Sequence, residues 1–172
     1  MRNLWGWFTR LWVVGVLWLA ASPLWAAHAY GQFGDVKYPT GFTHFGYVNP
    51  QAPKGGEIVL VPPTRQSNFD KYNPFTLKGS APPGLTGLLF DTLLTGTMDE
   101  PTTAYGLLAR DVAVAPDKKS VTFELHPLAR FHTGDPVLAA DVKFSFERLT
   151  SKEAAPQYRT YFSEVKAVVV EG

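Results

Sequence analysis

Between Val112 and Thr150 the hydrophobic period of the sequence changes from two to three-or-four, and this limits what the chain can fold into more than any other feature. Val112-Ala113-Val114 and Val121-Thr122-Phe123-Glu124-Leu125 flank the connection APDKKS. Val121, Phe123 and Leu125 fall on one face and Thr122 and Glu124 on the other, the alternation of a half-buried hairpin. His132-Thr133-Gly134-Asp135-Pro136 is a turn by composition. From Ala139 to Thr150 the apolar residues Val142, Phe146 and Leu149 recur at offsets of four and three, which predicts a helix with one core-facing stripe. Asp141 in the first turn and Arg148 near the far end complement the helix dipole, and Thr150-Ser151 and Pro156 end the run.

The chain opens MRNLWGWFTRLWVVGVLWLAASPLWAAHAYG. Arg2 and Arg10 precede or interrupt an apolar run, and Ala27-His28-Ala29 offers small residues at the positions a leader peptidase reads. A membrane anchor over Leu4 to Ala20 is the rival reading. Arg10 and the small-residue site favour a leader over residues 1–29 with the cut after Ala29. The five tryptophans all lie before that cut. Losing Arg2 and Arg10 leaves 14 basic against 15 acidic residues, so the mature net charge becomes −1.

A near-neutral chain with no lysine or arginine cluster lacks the electrostatic footprint of a nucleic-acid binder. With no cysteine, there are no disulfides, no thiolate metal sites and no lipidated N-terminal cysteine. An exported protein of a bacterial envelope, in the periplasm, fits these features.

The remaining residues, about 143 of them, suffice for a domain with a core. Tyr30 to Lys54 reads as an extended arm, without helical or strand period, whose Phe33, Tyr38, Phe42, Phe45 and Tyr47 fill apolar sites on the body. Gly55-Gly56 precedes Glu57 to Val61, read as the first core strand and stopped by Pro62-Pro63. Thr64 to Gly84 is a long irregular segment of the kind that forms functional surfaces. Leu85 to Leu94 shows a helical face, and Pro101 to Ala109 reads as a turn or short helical piece. The final stretch, with Phe162, Val165, Ala167 and Val169, reads as a strand that needs neighbours from further along, so a truncated chain is expected.

Reactive machinery is not visible in the pattern. His44, His126 and His132 have no third ligand at metal spacing, and no serine sits in a G-x-S-x-G turn. Asp135 and Asp141 are explained by a turn and a helix start. Lys54-Gly55-Gly56 reverses the order of a phosphate loop. No catalytic residue, metal or cofactor is assigned, and the residues alone favour an exported binding or structural module over an enzyme.

Several ordered stretches then carry a resemblance: GDVKYPTGFTHFGYVNPQAPKGGEIVL, FDKYNPFTLKG, LFDTLLTGTMDEP, YGLLARDV and VTFELHPLARFHTGDPVLAADVKFSFERL. Together they resemble the extracellular solute-binding proteins of family 5, the peptide, oligopeptide and nickel receptors of ABC importers. YVNPQAPKGG and the aromatic arm before it are similar to the YejA-like subgroup that takes microcin C and oligopeptides. The resemblance implies an α/β chain with the type II periplasmic-binding-protein fold, a mixed sheet with flanking helices. Residues 55–172 would form the N-terminal portion of lobe I only. It also implies a non-enzymatic, monomeric receptor that captures peptides or peptide-like compounds and delivers them to the ABC permease subunits of the inner membrane.

By the match at NPFTLKG the resemblance implies ligand-side positions at Lys78, Gly79 and Ser80, with Phe69, Asp70 and Asn73 supporting their loop. Lys78 would meet a carboxylate, and Gly79 would allow close main-chain approach. His132, Gly134, Asp135, Pro136 and Asp141 match a scaffold turn and helix. Leu138 and Ala140 stand where the family carries Thr and Glu, which weakens the expected helix cap. The same fold serving a nickel complex, a sugar or a murein peptide is the alternative reading, and an exported hydrolase is a third.

Overall fold

A computed structural model describes residues 26–59 and 69–171. Most of the expected leader, the end of the expected Glu57–Val61 strand and the start of the irregular segment lie outside the described residues. Within them the order is β1 (Ala29–Gly31), α1 (Leu85–Leu89), β2 (Leu94–Thr97), β3 (Glu100–Gly106), β4 (Ala109–Val114), β5 (Val121–Leu125), α2 (Ala139–Thr150) and α3 (Pro156–Tyr161).

The strands form two small antiparallel groups, one in the order β1-β3-β2 and the other pairing β4 with β5. With the helices that follow, the chain is a partial α/β unit. The β4–β5 hairpin falls where the alternation places it, with Val112 opposite Phe123 and Val114 opposite Val121. Its connection closes through Ala115 N–H to Ser120 O at 3.0 Å, and Lys118 at φ 57° makes the bend. A register shift between Ala109 and Asp111 lets the Arg110 guanidinium reach both Asp111 and Glu124.

Helix α2 has the predicted bounds, and Val142, Phe146 and Leu149 are its half-buried stripe. Phe146 meets Phe162 at 5.7 Å between ring centroids, beyond the end of α3. Leu138 at the N-cap has no side-chain acceptor, but Asp141 Oδ2 accepts the Leu138 N–H at 2.8 Å. Half of a capping box therefore survives the substitution noted above. Pro156, expected to stop a helix, instead begins α3 at a position where its missing N–H is unneeded.

Three other expectations are corrected. The helix over Leu85–Leu94 is confined to Leu85–Leu89, because Leu94 enters β2 and Leu93 O accepts the N–H of both Leu107 and Ala109 at 3.0 Å. Pro101–Ala109 is neither turn nor helix: its first six residues belong to β3, the central strand of its sheet. Pro101 is tolerated there because it lies beyond the last β1 pair, Gly31 with Thr103, and within the irregular register between Gly96–Ala104 and Thr97–Glu100. Glu57–Val59 carries no strand and is exposed, as are Val165, Val169 and Val170 near the other end.

The core closes the arm onto β3. Tyr105 (1 % exposed), Tyr38 and Ala29 are buried together, and Val36, Phe42 and Phe45 pack around them. Tyr105 lies edge-on to Tyr38, Phe42 and Phe45, with centroids 5.6, 5.2 and 5.6 Å away. Each such pair contributes about 0.5–1.5 kcal/mol beyond simple burial. The arm thus fills its sites with Tyr38, Phe42 and Phe45, while Phe33 stays 81 % exposed and Tyr47, itself exposed, stacks on the face of Phe45 and shares a hydrogen bond with the Thr97 hydroxyl at 3.2 Å.

Candidate functional site

The segment Asp70–Ser80 is irregular yet closed by its own hydrogen bonds. Asp70 N–H donates to Ser80 O at 3.1 Å, and Ser80 N–H donates to Asp70 Oδ1 at 2.6 Å. At the tip, Asn73 Oδ1 accepts the Phe75 N–H at 2.9 Å, a local turn that asparagine favours. Lys71 folds back so that its Nζ donates to Thr76 O at 2.7 Å. Gly79 sits at φ 86°, and a Cβ built there would lie 2.5 Å from Asp70 Oδ1. Only glycine satisfies both the left-handed backbone and the carboxylate seated against it.

A second segment holds the outer side of this loop. Leu77 N–H donates to Glu153 O at 3.0 Å and Ala155 N–H to Phe75 O at 2.8 Å, with Thr76 and Ala154 paired between them. Phe75 meets Phe90 and Tyr158 edge-on at 4.9 and 5.5 Å. Ala154 and Ala155 are buried beneath these contacts. Glu153 is held more acidic than an ordinary glutamate, chiefly by a hydrogen bond from Ser151.

The six residues singled out by sequence therefore lie on one loop. Asp70 and Asn73 form its internal bonds, and Gly79 makes the Asp70–Ser80 closure possible. Lys78 and Ser80 are exposed at its end, and Phe69 leans on Tyr72 at 4.8 Å while remaining half exposed. Lys71, Thr76 and the Glu153–Ala155 strip were not signalled by any local pattern, since their partners are main-chain atoms of the loop or lie far along the chain.

The other candidates stay apart. His126 Nδ1 accepts the Leu128 N–H at 3.1 Å, His44 pairs with Thr43, and His132 is an exposed turn residue. Asp135 accepts the Thr133 hydroxyl at 2.8 Å, and Asp141 serves the helix start. Both carboxylates do the structural work that the sequence assigns them. Among the described residues no group of three or more histidines, aspartates or glutamates could hold a metal ion. No helix among them is long and apolar enough to cross a membrane.

The strongest electrostatic cluster sits on the latch between the arm and the sheet. Asp99 accepts Lys37 Nζ at 2.6 Å, the Tyr38 hydroxyl at 2.5 Å and the Thr97 hydroxyl at 2.6 Å. These donors hold its carboxyl well below the usual range, Lys37 first among them. Lys37 and Tyr38 are pushed up by the same carboxylate. Burial, then its bond to Glu100, raises Tyr105. Each of these groups is paired with another part of the latch, so the cluster fastens the arm to the sheet.

Residues 103–172 match the family described as bacterial extracellular solute-binding proteins, family 5 middle. An Agrobacterium fabrum protein named probable peptide-binding protein YejA is 42 % identical over 139 residues, covering 81 % of this chain and 22 % of that one. Escherichia coli YejA is 38 % identical over 163 residues, covering 94 % of this chain and 26 % of the relative. A second Agrobacterium fabrum protein, named peptidoglycan-binding protein YepA, is 34 % identical over 165 residues, covering 91 % of this chain and 26 % of its own length. The chain thus spans about a quarter of the length of these relatives.

Proposed function

We propose, from the premise that this chain belongs to the family 5 extracellular solute-binding proteins and is related to YejA, that it forms part of a periplasmic receptor for oligopeptides or peptide-like compounds. In this reading residues 30–54 are the arm, and residues 55–172 are the N-terminal portion of lobe I of a type II binding fold. A leader over the first residues directs export. The receptor captures its ligand and hands it to the permease subunits of an ABC importer.

The observation that carries the reading is the self-closed loop Asp70–Ser80, which offers ordered main chain and an exposed ammonium in one place. Peptides of varied sequence share only their amides and terminal charges. A receptor that tolerates many of them must recognise those groups and leave side chains in wet, roomy space. Lys78 meets a peptide carboxylate, and Gly79 and the Ser80 hydroxyl lie along its backbone. Phe69, Asp70 and Asn73 keep the loop in shape.

A second reading is favoured by the relative named peptidoglycan-binding, in which the ligand is a murein peptide held by the same loop. Mass spectrometry of ligand released from the complete protein, purified from its native periplasm, tests both. Intact peptides support the first reading, and muropeptides support the second. A bound sugar or nickel complex without peptide, or ligand recovered only as hydrolysis products, contradicts both.

A further inference from the structure

The leader boundary read from sequence, after Ala29, runs through the middle of folded structure. Ala27 exchanges two hydrogen bonds with Val112, N–H to Val112 O at 3.0 Å and O from Val112 N–H at 2.8 Å. His28 O accepts the Gly106 N–H at 2.8 Å. Both ring nitrogens of His28 are engaged, Nε2 with Tyr38 O at 2.8 Å and Nδ1 with the Thr40 hydroxyl at 3.0 Å. Ala29 is 7 % exposed and pairs with Tyr105 at the start of β1. Gly106 is held so close to this segment and to β4 that a Cβ would lie 2.5 Å from Ala109 O and 3.4 Å from His28 O.

A cut after Ala29 would discard all of these contacts. It would also shorten β1 from three residues to two. Ala26 is exposed.

We propose that the export leader ends at Ala26 and that Ala27, His28 and Ala29 are the first residues of the mature chain. Ala26 supplies the small residue before the scissile bond. A leader peptidase of the membrane hydrolyses the Ala26–Ala27 peptide bond with one water. The hydroxyl oxygen adds to the Ala26 carbonyl carbon to leave a carboxylate, the C–N bond breaks, and the amine departs as an ammonium on Ala27. That ammonium remains a donor to Val112 O, so cleavage there preserves the bridge to β4.

The proposal rests on the export reading, and one measurement separates the two. Intact-mass analysis of the protein recovered from the periplasm of cells producing the natural full-length precursor gives the mature N-terminus. A mass beginning at Ala27 is the expected result. A mass beginning at Tyr30, or at any other periplasmic terminus, overturns the boundary and leaves export standing. Full-length precursor with Met1 retained, found only in the cytoplasm, overturns both.

Discussion

The Tyr105 hydroxyl accepts the Tyr38 N–H at 3.1 Å and donates to Glu100 Oε2 at 2.5 Å, joining the arm to the first and the penultimate residue of the central strand β3 at one buried atom. Tyr105→Phe keeps the ring in its aromatic nest but leaves the Tyr38 amide without its partner. The expected loss is about 1–3 kcal/mol, read by chemical denaturation of the complete protein. Tyr105→Ala also empties the nest and should cost about 3–5 kcal/mol.

Acid should loosen the same latch. The folded Asp99 carboxyl lies below its unfolded value, so its stabilisation is present above about pH 4 and is lost as pH falls below that. Tyr38 and Tyr105 are raised, so their contribution is present below about pH 10 and is lost as pH rises above it. Melting temperature measured across pH should therefore fall at both ends. Asp99→Asn should be less stable at neutral pH and should show a flatter acid limb, and an unchanged acid limb would count against the assignment.

Gly79→Ala should open the Asp70–Ser80 loop. The left-handed backbone costs an alanine about 1–2 kcal/mol, and its Cβ would collide with Asp70 Oδ1. Faster amide exchange at Ser80, with β4–β5 amides unaffected, is the expected signature. Equal exchange in variant and parent would show that the loop is not held as described.

Leu138→Thr should stabilise α2. The new hydroxyl supplies the side-chain acceptor for the first turn that leucine lacks, while Asp141 already bonds back to residue 138. The gain expected from an N-cap hydroxyl is about 0.5–2 kcal/mol, seen as a higher denaturation midpoint.

These features differ in how plainly the sequence announces them. Helix α2 and the β4–β5 hairpin are legible because each has an unbroken period and its own start and stop residues. The β2–β3 hairpin is not, since its threonines and glycine carry little apolar contrast and Pro101 reads as a breaker until the irregular register that tolerates it is known. Leu93 and Leu94 extend a helical stripe on paper, but the sheet claims their backbone. At the loop, the identities of Asp70, Asn73 and Gly79 suggest a turn, whereas the strip Glu153–Ala155 that braces it is bound through main-chain groups and has no side-chain signature.

If, as proposed, this chain contributes to a receptor that grips peptides without altering them, the complete protein should respond to free peptide. Titration of the complete protein with short oligopeptides, followed by its melting temperature, tests this most directly. The expected result is a saturable rise that is weakened by Lys78→Ala, with every peptide recovered whole. No rise with any peptide, or peptides recovered as cleaved products, would contradict it.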